Sequence, residues 1–163
     1  MRNDLKILTV FLVLLPLICT ASPVSYAARV QDLDEVMSFV RTPEELAHWF
    51  SNEFTYRMIF PDGPHSLQEV LLSRTGDCDD LANLASAILT RMNIRNEVIV
   101  IRFRDLRIAH AVCAWKDAGG RYSFMSNREL IRTGERTLEG AIKKQYPDCD
   151  SMVKADPQMY VCL

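Results

Sequence analysis

Cys78 stands in Gly76-Asp77-Cys78-Asp79-Asp80, where a polar turn gives way to an amphipathic helix. Leu81, Leu84, Ala85, Ile88, Leu89 and Met92 recur at three- and four-residue spacing, which is one face of an α-helix. Cys78 lies three residues before Leu81, so it opens that stripe in the first turn. There the unpaired backbone N–H groups and the positive end of the helix dipole favour a thiolate. Downstream, His110 lies in a β-branched, apolar run that is followed by a turn and a second strand ending in Ser126-Asn127. A cysteine opening a helix, a histidine on a strand and a polar residue on the next strand together suit cysteine-based acyl transfer.

The hairpin decides what His110 faces. If residues 117–120 form a four-residue loop, Lys116 pairs with Arg121 and His110 falls opposite Asn127, on the same face and with Cβ atoms about 4.5–5.5 Å apart. Asn127 then accepts from the imidazole N–H and holds the ring for the thiol. A five-residue loop makes Ser126 the partner instead, so Asn127 is the favoured orienter and Ser126 stands in reserve. The plainer roles differ: a cysteine on an apolar-faced helix is usually a small core residue, and a strand histidine is usually a hydrogen-bonded core side chain. Cys113 lies three residues beyond His110 and points to the other strand face. No Cys-x-x-Cys occurs, which speaks against zinc. Trp49 and Trp115 read as core, and His48 and His65 have no evident partner.

The acids around Cys78 carry two readings. Asp77 as N-cap with Asp80 at the third helical position, and Asp79 complementing the dipole, is ordinary helix initiation. Three carboxylates, Asp77, Asp79 and Asp80, in a loop entering a helix also offer oxygens to Ca²⁺.

The elements that must position these residues follow from pattern. Residues 33–40 carry Leu33, Val36, Met37 and Val40 in helical phase. Thr42-Pro43-Glu44-Glu45 is a helix start with cap, first-turn proline and capping glutamate, leading into Leu46, Trp49 and Phe50. Pro61-Asp62-Gly63-Pro64 is a turn cluster, and 66–72 a short helix. After Asn93, runs at 98–103, 108–115 and 122–125 read as strands, and 138–146 as a final helix. Helices followed by an antiparallel sheet make one α+β domain.

The chain has 163 residues, with 19 basic and 21 acidic. Arg2 and Lys6 precede an apolar run at 7–18 that is broken only by Thr9 and Pro16. It is too short to span a bilayer and reads as a secretory leader cut after Ala27. The expectation is therefore an exported protein, periplasmic or secreted, with a signal peptide at 1–27 and a single domain at 28–163. Loss of the leader removes two basic residues and one acidic residue, for a net charge near −3. That charge gives no electrostatic reason to expect nucleic acid. Arg102, Arg104 and Arg107 read as a solvated strand face. Export permits disulfides; a Cys149–Cys162 bridge would close a short loop and contribute about 3 kcal/mol.

The runs Ser73-Arg74-Thr75-Gly76-Asp77-Cys78-Asp79-Asp80-Leu81-Ala82, Ala109-His110-Ala111-Val112 and Arg121-Tyr122-Ser123-Phe124-Met125-Ser126-Asn127 resemble the transglutaminase-like (papain-like) cysteine peptidase superfamily. The resemblance covers roughly residues 42–130. It implies a papain/transglutaminase-like core with Cys78 as nucleophile, His110 as general base and acid, and Asn127 as orienter of a Cys-His-Asn triad. It departs at one point: the superfamily mostly has aspartate in the third place, where this chain has Ser126. The resemblance extends to the bacterial branch that trims adhesins and binds calcium through acids flanking its cysteine. It implies a thioester-forming peptidase or amidase acting on a peptide or protein, with no cofactor required beyond a candidate calcium and the substrate presented by a partner protein. An amide cross-linking acyltransferase and a non-catalytic scaffold that keeps the fold are the competing expectations.

Overall fold

The computed structural model describes residues 32–58, 65–104 and 109–155. The expected leader at 1–27, the Pro61–Pro64 turn, Arg107 and Cys162 lie outside these residues, and with Cys162 the expected disulfide. Four helices come first, and each begins where a side chain can cap it. Asp32 caps α1 (Leu33–Phe39). Thr42 and Glu45 form a capping box on α2 (Pro43–Glu53), with Pro43 in its first turn. Ser66 and Glu69 do the same for α3 (Leu67–Ser73). Asp77 and Asp80 form the box that starts α4 (Cys78–Arg91).

Two short strands, β1 (Thr55–Tyr56) and β2 (Thr75–Gly76), pair in parallel just ahead of Cys78. Only two residues long, they carry no periodicity that sequence reading could find. Arg74, left-handed at φ 55°, ends α3 and lays its guanidinium over the rings of Trp49 and Phe54. This ties the entry to the nucleophile loop onto α2. Gly76 has a steric reason: a Cβ there would come within 2.7 Å of the Asp80 Cβ.

The main sheet is antiparallel, in the order β6-β5-β4-β3-β7. Its strands are β3 (Asn96–Phe103), β4 (Ala109–Lys116), β5 (Tyr122–Ser126), β6 (Glu129–Arg132) and β7 (Cys149–Lys154), with α5 (Leu138–Gln145) between the last two. Alternation along β4 serves two cores. Ala111, Cys113 and Trp115 pack with Leu81, Leu84, Ile88 and Leu89 of α4 and with α1–α3. Val112 and Ala114 join Ile99, Ile101, Phe124 and the α5 residues Ala141 and Ile142. The four large α4 residues are fully buried, each worth about 1.5–3 kcal/mol. α4 is thereby fixed against the sheet, and Cys78 with it.

The hairpin register differs from the expected one. Lys116 pairs with Tyr122, not Arg121. Asp117 closes the turn itself: its Oδ1 accepts from Arg121 N–H and its carbonyl from Gly120 N–H, with Gly120 left-handed at φ 71°. The extra residue moves β5 by one, and a one-residue shift exchanges the faces of every side chain. Val112 now lies opposite Ser126, so Ser126 shares the face of His110, two residues further along β4. The two meet as diagonal neighbours, because with Lys116 opposite Tyr122 the position counted opposite His110 is 128, not the Ser126 expected for the longer loop. Asn127 falls outside the pairing, in the turn to β6, left-handed at φ 51°.

Candidate active site

Cys78 is the first residue of α4 and half-buried. The cap holds it in place: Asp80 Oδ2 accepts from Asp77 N–H at 3.2 Å, and Asp77 Oδ1 accepts from Asp80 N–H at 3.5 Å. Burial pushes the Cys78 thiol up; an N–H from Ala111 pulls it down, and Asp79 and Asp77 push it up again. The net direction is upward, against the thiolate expected from the helix terminus alone. Burial and two neighbouring acids outweigh the first-turn dipole.

The Ala111 N–H that reaches the thiol belongs to the residue after His110. The Cys78 thiol is therefore near the β4 backbone at the residue that follows His110. His110 Nε2 is 2.9 Å from Ser126 Oγ; when Nε2 carries the proton, Nδ1 is the ring nitrogen left to accept another. Ser126 Oγ is in turn 2.8 Å from the Tyr146 hydroxyl, and the Tyr146 ring packs edge-on against His110, centroids 5.5 Å apart. Burial lowers the His110 pKa, so both members of the pair are held towards their neutral forms. Asn127 does not reach the ring through a hydrogen bond, and its Oδ1 is buried without a partner among the described residues. Ser126, not the Asn127 that the sequence favoured, is the residue hydrogen-bonded to the ring.

The three acids separate. Asp77 and Asp79 converge with Cys78, their ligand atoms lying within 4.8 Å of one another. Desolvation, then Asp79, holds Asp77 well above the ordinary carboxylate range, at about 7. Asp80 turns away: its Oδ2 lies 3.0 Å from His65 Nδ1, which gives His65 the partner that no spacing in the sequence revealed. Of the three acids expected to offer oxygens to calcium, only Asp77 and Asp79 therefore lie together.

Two residues at the site had no sequence signal. Tyr146 follows α5, 68 positions beyond the nucleophile on, and only the packing of α5 on the sheet brings it to His110. Tyr56, on β1 opposite Gly76, has its phenol pushed up by burial and then by the charges of Cys78, Asp77 and Asp79. Cys113 is fully buried on the α4 face, away from the site. His48 pairs with Asn52 along α2. A cavity of about 560 Å³ lies at the other end of β4, lined by Trp115, Lys116 and Asp117 among others, and it contains neither Cys78 nor His110. No described helix is long and apolar enough to cross a membrane.

The sequence profile of the transglutaminase-like domain matches residues 26–138. The fold is similar to calcium-bound LapG of Legionella pneumophila at 16% identity, over 76% of this chain and 71% of that one, with a TM-score of 0.53. A cysteine-protease candidate from Cytophaga hutchinsonii superposes at 13% identity over 79% of this chain and 50% of that one, with a TM-score of 0.47. No curated protein sequence matches the chain.

Proposed function

The chain belongs to the transglutaminase-like domain family, and from that premise we propose that it is an exported, cysteine-dependent peptidase or amidase with a Cys78-His110-Ser126 triad. The observation that carries the reading is the pairing of His110 Nε2 with Ser126, on the strand whose Ala111 N–H pulls the Cys78 thiol down against the effect of burial. One ring nitrogen is anchored and the other is free for the thiol proton.

The steps follow from that geometry. Cys78 Sγ attacks a peptide or amide carbonyl carbon as its proton passes to His110 Nδ1. The carbonyl oxygen becomes an oxyanion beside the Cys78 N–H at the helix start. Collapse breaks the C–N bond, and His110 returns the proton to the leaving amine, leaving a Cys78 thioester. His110 then takes a proton from water as the water oxygen attacks the thioester, releasing the acid and restoring the thiol. A lysine amine in place of water would give the cross-linking outcome. A general base in this role contributes typically 10²–10⁴-fold.

Asp77 and Asp79 would hold a calcium ion, as the crowding of their oxygens favours and as calcium-bound LapG suggests by analogy. Bound there, the cation would neutralise the two acids that push the Cys78 thiol up. The substrate is a peptide or protein, which a partner protein presents.

A non-catalytic scaffold is the second reading, favoured by the upward shift of Cys78 and by the lack, among the described residues, of a carboxylate hydrogen-bonded to His110. An activated ester separates the two: p-nitrophenyl acetate should leave an acetyl group on Cys78, detected by mass spectrometry. The acylation should vanish in Cys78→Ala and slow by two or more orders of magnitude in His110→Ala. Acylation of other residues at the same rate in Cys78→Ala would remove the hydrolase reading and leave the scaffold.

A further inference from the structure

A serine is an ambivalent orienter. Its hydroxyl can accept from His110 Nε2–H, which leaves Nδ1 free as a base. It can equally donate to Nε2, which puts the ring proton on Nδ1 and blocks the thiol. A carboxylate or an amide oxygen can only accept. With Ser126 as the anchor, something else must fix the direction of its proton.

Tyr146 is placed to do so. Its hydroxyl is 2.8 Å from Ser126 Oγ, and its ring packs on the imidazole it would direct. It reaches the site from beyond α5, outside the residues 26–138 that the family profile matches. Glu129 pairs directly with Ser126 across the turn from β5 to β6. Directly opposed residues leave the sheet on one face, so the Glu129 carboxylate shares the face of Ser126, His110 and Tyr146. Burial pushes the Tyr146 phenol up, the Ser126 hydrogen bond pulls it down, and the charges of Glu129 and Cys78 push it up again.

We propose that Tyr146 is a positioning residue for His110: the chain Nε2–H to Ser126 Oγ–H to Tyr146 Oη fixes the histidine tautomer, with the Glu129 carboxylate on the same face favouring that direction. Ser126 spends its one proton on Tyr146 Oη and has only a lone pair to offer the imidazole. Hydrogen bonds aligned head to tail in this way reinforce one another. When His110 is protonated during the reaction, the negative end of the chain faces the new charge. The relay does with two hydroxyls and a distant carboxylate what one residue in contact with the ring would do. The proposal deepens the hydrolase reading and rests on it for its catalytic consequence, though not for the tautomer.

The test uses Tyr146→Phe, which keeps the ring against His110 and removes only the hydroxyl. Two quantities are measured on the full chain: the His110 tautomer, from imidazole ¹⁵N shifts, and the rate of Cys78 alkylation by iodoacetamide, located by mass spectrometry. Wild type should hold Nε2–H. Tyr146→Phe should mix the tautomers and slow alkylation about tenfold, the scale of one neutral hydrogen bond. Adding Ser126→Asp, an acceptor that has no need of Tyr146, should restore the tautomer and the rate, whereas a packing defect would persist. An unchanged tautomer in Tyr146→Phe overturns the proposal, as does a slowed rate that Ser126→Asp leaves unrescued. Alkylation that ignores His110→Ala overturns the hydrolase reading instead, while the tautomer measurement still judges Tyr146.

Discussion

Replacing Asp77 by asparagine should make the protein more stable at alkaline pH. Asp77 is 5% exposed, and desolvation with help from Asp79 raises its pKa from 3.8 to about 7. Folded pKa above unfolded pKa means that, between 3.8 and about 7, the folded chain keeps a proton that the unfolded chain has lost. Stability therefore falls as pH rises through that window and stays reduced above it. Three pH units correspond to about 4 kcal/mol. Relaxation and water penetration around a buried carboxylate reduce this, so about half, ~2 kcal/mol, is the value expected at Asp77. Asparagine caps a helix about as well as aspartate, so the start of α4 survives the change.

The assay is urea unfolding of wild type and Asp77→Asn at pH 4 and pH 8, with a calcium chelator present. The two proteins should unfold alike at pH 4. At pH 8 the variant midpoint should be higher by about 1 M, for a urea dependence of roughly 2 kcal/mol per molar. Added calcium should restore the wild type at pH 8 and do little for the variant. Equal pH slopes, or a variant weaker at pH 8, would refute the claim that Asp77 is ionised against its surroundings.

His110→Ala should lower Cys78-dependent ester turnover by 10²–10⁴-fold with the urea midpoint little changed, as steady-state kinetics and unfolding together would show. Leu84→Ala should destabilise by about 2–5 kcal/mol, because Leu84 is fully buried between α4 and the sheet; thermal unfolding reads this directly. Gly76→Ala should weaken both stability and Cys78 acylation, since the new Cβ meets Asp80 at 2.7 Å and disturbs the capping box. Circular dichroism melting and the acylation rate measured on one preparation would check it. Native alkylation should leave Cys113 unmodified, because it is fully buried and its thiol is pushed far up; peptide mapping after iodoacetamide settles this.

The helix that Cys78 opens was legible in the sequence because every interaction that defines it is local. The capping box spans Asp77 to Asp80, the buried stripe repeats every three or four residues, and both are written within one helix length. The same holds for α2, where Thr42, Pro43 and Glu45 announce the start. The edge strands β6 and β7 escaped notice because they present mixed exposure and owe their conformation to pairing with β5 and β3, not to alternation of their own. The partner of His110 escaped for a related reason. Asp117 closing its own turn added one residue to the hairpin, and with a side-chain period of two that single residue exchanged Asn127 for Ser126. Tyr146, Tyr56 and the His65–Asp80 pair join segments distant in the chain, and the charge states of Cys78, Asp77 and His110 follow from burial. Sequence determines where a thiol is presented; which groups surround it, and whether they favour its charged form, depends on contacts and desolvation that exist only once α4, α5 and the sheet have closed on one another.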